Sequence, residues 1–319
     1  MRTKLPDYPQ PTEIEIELTN YCNAACTACP RDQLTAEKGF MSDDVYYTIL
    51  TKYAENRKTY VINKLQSKEL YPIITFAGMG EPLLHPKIFE YISTASARDF
   101  KCVIFTNISL LDADKAQKLV DSGVNHIYVS FWGIQKEEYE WSMGLDYHTS
   151  MSNLERLIPL AKNAGIPITI IWVRTEHITS SSTQISNFWK KKGVIIDNEN
   201  DPWNRGGYLD KSKSLDLPEQ PVDFLKDIWC SQLYFTDTIC WNGDVVICSC
   251  DYYKKENVMG NIMYSEPNLI SITKSRILRD TDRKSICCQC LKPDRNYTFG
   301  SEPWDALLDA TETQRYTYI

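Results

Sequence analysis

Short β-rich runs alternate with longer segments of helical period along the first ~200 residues, and this limits the fold more than any other feature. Thr12 to Thr19 alternates isoleucine with glutamate and predicts a strand; Ser42 to Ala54 predicts a helix capped by Ser42 or Asp43. Strands follow at Ile73 to Ala77, Lys101 to Thr106, His126 to Phe131, Ile168 to Arg174 and Val194 to Asp197. Helices are predicted between them over Pro86 to Ala97, Asp112 to Ser122, Met151 to Ala164 with a bend at Pro159, and Thr183 to Lys192. About six β–α units imply an α/β fold with a parallel sheet and outer helices, too few for the closed eightfold barrel. An open, partial (β/α)6 barrel is the expectation. The pattern breaks near Asn198, where Asp201, Pro202, Trp203 and Gly206–Gly207 change the texture of the chain. Beyond it, Tyr234 to Ile239 and Val245 to Cys248 read as a hairpin about Asn242–Gly243. A helix is predicted from Trp304 to Ala310. The organisation read from this is 1–198 for the barrel, 199–293 for a smaller C-terminal unit and 294–319 for a tail.

The 319 residues include eleven cysteines, an odd number, and Met1 to Gln10 has no apolar export signal. Disulfides are therefore disfavoured, and clustered thiols in a reducing compartment point to metal. Ten cysteines fall in groups: Cys22, Cys26 and Cys29; Cys230, Cys240, Cys248 and Cys250; and Cys287, Cys288 and Cys290. Cys102 stands alone in an apolar run and reads as a buried structural thiol. The net charge of −7 argues against nucleic acid, no run is long and apolar enough for a membrane span, and the expected location is the cytoplasm. His85, His126, His148 and His177 have no helical metal spacing and read as structural or surface residues.

The first group lies directly after the first strand, where the functional loops of β/α barrels occur. Structural zinc needs a closed set of four ligands, and no fourth cysteine or histidine is near. Three cysteines on a 4Fe–4S cluster leave one iron open to another ligand. The Cys22-x3-Cys26-x2-Cys29 spacing resembles the signature of the radical S-adenosylmethionine superfamily. That resemblance implies an open iron chelated by the amino and carboxylate groups of S-adenosylmethionine, and a reducing partner such as flavodoxin or ferredoxin. The chain departs from the family at Ala28, where an aromatic residue is usual. Gly78-Met79-Gly80-Glu81-Pro82, after the second strand, looks like the family's Gly-Gly-Glu motif with Met79 inserted. Its glycines allow close backbone approach, and Glu81 suits the methionine ammonium. Thr106 and Asn107, Ser130 and Arg174 end later strands, where the resemblance implies contacts to the cofactor's ribose and carboxylate. The guanidinium of Arg174 suits a carboxylate and makes it a catalytic candidate too.

Cys230, Gly243 and Cys248 match the opening of the SPASM and twitch extensions of the same superfamily, with Trp229, Asp251 and Gly260-Asn261-Ile262 in keeping. No cysteine follows Cys290, so the shorter twitch form with one auxiliary 4Fe–4S cluster is implied, held by Cys230, Cys248, Cys287 and Cys290. Cys288 is an alternative to Cys287, and a four-cysteine zinc site competes with the cluster. Architecturally the chain resembles the twitch-bearing aminocyclitol dehydrogenases. That implies oxidation of a small polar metabolite, with peptide modification or epimerisation as the alternatives. Cys250 is the candidate hydrogen-atom donor for epimerisation. With 21 residues ahead of Cys22, the expected substrate is a small molecule, or a peptide presented by another protein. Asp201, Trp203, Asn204 and Arg205 are candidates for the pocket wall.

Overall fold

A computed structural model of the chain describes residues 13–34, 36–62, 73–197, 236–251, 258–267 and 270. Among the described residues, nine strands form one sheet: β1 Glu13–Ile16, β2 Ile73–Phe76, β3 Lys101–Thr106, β4 His126–Ser130, β5 Ile168–Ile171, β6 Ile195–Ile196, β7 Thr236–Ile239, β8 Asp244–Val246 and β9 Val258–Asn261. Their order is β6-β5-β4-β3-β2-β1-β7-β8-β9. The first six run parallel, as the alternation predicts for an open, partial (β/α)6 barrel. β7 joins the free edge of β1, also parallel, with Ile16 opposite Ile239, and β8 and β9 continue the sheet antiparallel.

Six α-helices are described: α1 Asp43–Ile62, α2 Ile88–Ser96, α3 Ala113–Asp121, α4 Lys136–Met143, α5 Tyr147–Asn163 and α6 Ser182–Lys192. Their ends carry the expected chemistry. Asp112 accepts from Lys115 N at the start of α3, Asp146 accepts from Thr149 N at the start of α5, and Ser181 with Gln184 boxes the start of α6. Past α5, Gly165 turns the chain with φ +71°. α5 starts four residues before the predicted Met151 because Asp146 caps it, and it carries Pro159 inside. α4 has no counterpart in the sequence reading. Its buried positions include Glu138 and Ser142 as well as Tyr139 and Met143, so its apolar periodicity is broken.

The alternation in β1 divides two environments. Ile14 and Ile16 are fully buried in the layer shared with Tyr46, Ile49 and Leu50 of α1. The glutamates face the other way; Glu13 accepts from Thr75 at 2.5 Å and from Thr236 at 3.3 Å. Glu15 and Glu17 are buried too, so this face lies inside the molecule rather than in solvent. His126 is structural, as expected. Its ring contacts Thr169 Oγ1 at 2.8 Å and stacks on Tyr128, and burial lowers its pKa to about 4.

The predicted helix Trp304 to Ala310 and the pocket candidates Asp201, Trp203, Asn204 and Arg205 lie outside the described residues. Among the described residues, no helix is long and apolar enough to cross a membrane.

Candidate metal centre and cofactor site

The loop leaving β1 is clamped at its base. Thr19 and Phe40 form an isolated antiparallel bridge, Met41 N donates to Leu18 O at 2.8 Å, and Thr19 Oγ1 donates to Gly39 O at 2.7 Å. Asn20 closes the same neck by donating to Glu37 O and accepting from Gly39 N. Within the loop, Cys22, Cys26 and Cys29 are all part-buried. The middle is docked on the end of α4, with Ala25 N donating to Met143 O at 3.0 Å and Thr27 N to Ser142 O at 2.9 Å. Arg31 crosses back over the loop, donating from Nη1 to Cys22 O and from Nη2 to Ala24 O, each at 2.7 Å. Ala28, where the family has an aromatic residue, is buried in the apolar core.

The neighbouring thiols act on Cys22 and Cys26. Burial, first, and then neighbouring Glu81 and Cys29 push the Cys22 thiol up; burial, then Cys29 and Cys22, push Cys26 well up. Iron reverses this, because a coordinated thiol is deprotonated. Among the described residues, no three Cys, His, Asp or Glu side chains converge as ligands of a single ion do. A four-iron cluster does not require that, since each cysteine meets a different iron. A loop of three neighbouring part-buried thiols fits such a cluster.

Gly78 to Pro82 lies against the root of this loop. A side chain on Gly80 would collide with the carbonyl oxygens of Thr19 and Tyr21, and one on Gly78, at φ +138°, with Glu17. What crowds these glycines is the chain itself: Glu81 N donates to Tyr21 O at 2.8 Å and Met79 N to Glu17 Oε2 at 3.0 Å. Pro82 opens a short 3-10 turn, Pro82–Leu84. The Glu81 carboxylate is buried and accepts from Leu83 N, Thr106 Oγ1 and Asn107 N at 3.1, 2.7 and 2.8 Å. Burial raises its pKa to about 7 against those hydrogen bonds. An ammonium group beside it would draw it back to the carboxylate.

Asn107 reaches the cysteine loop directly. Its Nδ2 donates to Asn23 Oδ1 at 3.0 Å and lies 4.0 Å from Cys22 Sγ. The next residue, Ile108, has φ +64°, a strained conformation for a β-branched side chain. Thr106 Oγ1 accepts its N–H, and Asn153 donates to the carbonyls of Ile108 and Ser109. Ser130 ends β4 half-buried. Arg174, past β5, lies over the Trp172 ring at 5.1 Å and donates to Ser182 Oγ at 2.5 Å.

The second cysteine group is described in part. Cys240, Cys248 and Cys250 are buried in and just after the β7–β8 hairpin, whose turn uses Gly243 at φ +87°. Trp241 in that turn packs on Gly39 of the first loop so closely that no side chain fits there. Cys230, Cys287, Cys288 and Cys290 lie outside the described residues.

Two supports escaped the sequence reading. Arg31 was signalled only by its place two residues after Cys29. Glu138 is a buried carboxylate that accepts from Ile134 N, Gln135 N, Thr179 Oγ1, Ser180 N and Ser180 Oγ at 2.7–3.2 Å. Burial alone would raise its pKa, but hydrogen bonds from Ser180, Ile134 and Gln135 hold it below the ordinary value. It ties the loops after β4 and β5 to the helix on which the cysteine loop sits.

The model of the Radical SAM superfamily matches residues 16–177. The chain is 29% identical over 118 residues to the tungsten-containing aldehyde ferredoxin oxidoreductase cofactor-modifying protein of Pyrococcus furiosus, covering 36% of this chain and 29% of that one. It spans less than two thirds of the length of this and other curated relatives, reaching 57% for a probable GTP 3′,8-cyclase of Methanococcus aeolicus. Among solved structures, BtrN in complex with AdoMet and 2-DOIA superposes with a TM-score of 0.56 at 17% identity, over 89% of this chain and 94% of that one. Streptococcus suis SuiB bound to precursor peptide SuiA gives 0.64 at 16% identity, over 88% and 70%.

Proposed function

The chain belongs to the radical S-adenosylmethionine superfamily, and from that premise we propose that it oxidises a hydroxylated carbon of a small polar metabolite, such as an aminocyclitol or sugar. In this reading Cys22, Cys26 and Cys29 hold a 4Fe–4S cluster whose open iron takes S-adenosylmethionine. When bound, the pair supplies a 5′-deoxyadenosyl radical that removes a substrate hydrogen atom. The residues of the chain bind and orient. Glu81 receives the methionine ammonium, Asn107 and Ser130 line the cofactor's polar edge, and Arg174, already steadied by Trp172 and Ser182, receives the carboxylate.

The observation that carries the oxidative reading is the junction of β7 with β1. Glu17 N donates to Ile239 O at 2.9 Å, so the hairpin bearing Cys240, Cys248 and Cys250 grows from the strand that launches the first cysteine loop. Removing a hydrogen atom leaves a second electron to be taken from the carbon, and an auxiliary cluster is suited to accept it. Cys248 with Cys230, Cys287 (or Cys288) and Cys290 is the proposed ligand set, in a twitch-type extension. The solved complex of BtrN with AdoMet and 2-DOIA supports this choice of substrate class. Peptide modification is the second reading, favoured by the likeness to SuiB bound to a precursor peptide. Epimerisation, with Cys250 as donor, is a third outcome.

Anaerobic reconstitution tests the proposal. About eight irons per chain are expected, falling to about four in Cys248→Ala with S-adenosylmethionine cleavage retained, and cleavage lost in Cys22→Ala. With a panel of aminocyclitols and sugars, the product should be two hydrogens lighter than its substrate. Four irons in the unsubstituted protein, or an isomeric product carrying solvent deuterium, would reject the oxidative reading.

A further inference from the structure

Arg31 has a placement that membership in the superfamily does not explain. Cys29-Pro30 turns the chain into a single 3-10 helix, Pro30–Gln33, with the proline at its start. That turn brings the guanidinium back across the loop, where its fork grips Cys22 O and Ala24 O at 2.7 Å each. Both acceptors are neutral, and among the described residues no carboxylate forms an ion pair with Arg31. The fork sits on the backbone carbonyl of one cysteine and on that of the residue midway to the next. The two gripped carbonyls flank the Asn23–Ala24 peptide, whose N–H donates to Cys22 Sγ with N···S 3.5 Å. Asn107 Nδ2, 4.0 Å from that sulfur, offers a second donor.

Reduction of an iron–sulfur centre adds one negative charge, and its potential is set by net charge and by hydrogen bonds to the sulfurs. A fixed cation stabilises the reduced form more than the oxidised one. We propose that Arg31 is a positioning residue that also sets the reduction potential of the N-terminal centre, raising it into reach of a flavodoxin- or ferredoxin-type one-electron donor. The inference rests on Cys22, Cys26 and Cys29 being the cluster ligands.

The test is an EPR-monitored redox titration of reconstituted holoenzyme, with Arg31→Gln, Arg31→Met and Arg31→Lys beside the unsubstituted protein. EPR reads only loaded centres, so partial iron loading does not blunt it, and two neutral variants guard against one failing to fold. At the parent's midpoint, the reduced-to-oxidised ratio should fall about tenfold in both neutral variants, about 59 mV for a one-electron couple. Arg31→Lys keeps the charge but not the fork, and should stay within about threefold of the parent. Neutral variants that titrate with the parent overturn the proposal, as does a lysine variant that falls as far as they do. If the parent shows no cluster signal that responds to S-adenosylmethionine, the ligand assignment itself has failed. If that signal is present and the potentials coincide, only the role of Arg31 has failed.

Discussion

Gly80 is where a single added carbon does most damage. Its Cβ would have to share space with the backbone oxygens of Thr19 and Tyr21, which no rotamer change can move. Gly80→Ala must therefore separate the second-strand loop from the root of the cysteine loop, breaking the bond from Glu81 N to Tyr21 O. We expect about 3 kcal/mol of lost stability and weakened iron retention, read by thermal unfolding and by iron content after gel filtration. Gly165→Ala is the contrast. No atom lies within 4 Å of its added Cβ, so only the left-handed backbone at φ +71° is penalised, by about 1 kcal/mol, and iron content should be unchanged. Equal iron loss in both would show that the collision at Gly80 is not what matters.

At the scale of elements, α4 is the wedge that holds the cysteine loop from behind. It is only Lys136–Met143, capped by Gly144 at φ +65°, yet its last carbonyls receive Ala25 N and Thr27 N. Glu138 anchors it to the loops after β4 and β5, and Ser142 Oγ ties it to Thr175 Oγ1 at 2.8 Å. Glu138→Gln leaves one acceptor oxygen where two were used, and should cost about 3 kcal/mol at neutral pH. The folded carboxyl titrates below its unfolded value, so its contribution is present above the ordinary carboxylate range. It is lost as pH falls through the depressed value. Denaturant midpoints of parent and variant should therefore converge toward acid; a constant gap across the pH range would contradict this account.

For the whole molecule, the decisive junction is β1 with β7. β1 is central in the described sheet, flanked by β2 on one side and β7 on the other. A chain ending after Asp197 keeps the six alternating units but uncovers the β1 edge and the hairpin's contact with Gly39. Exposed central edges template association. The truncated chain should elute as aggregates in size exclusion, whereas the full chain should not. A monodisperse, iron-binding fragment would show that the edge is covered some other way.

Legibility varied from one residue to the next for physical reasons. Strand and helix alternation, the cap at Ser42 and the turn at Asn242–Gly243 are local properties, and each appears close to where the sequence places it, whereas the caps at Asp112 and Ser181 emerged only with the structure. α4 was invisible because its buried face is partly polar, and Glu138 takes its meaning from loops about 40 residues away. Arg31 looked like any loop arginine until the 3-10 turn aimed its fork at two carbonyls. The glutamates of β1 marked a strand, but only the tertiary packing about the sheet buried Glu15 and Glu17. Short-range pattern alone determined the parallel sheet, the cysteine loop at a strand end and the superfamily they signal. Tertiary packing decided what props that loop and which strand covers β1, because those contacts join residues far apart in the chain and leave no periodic trace in it.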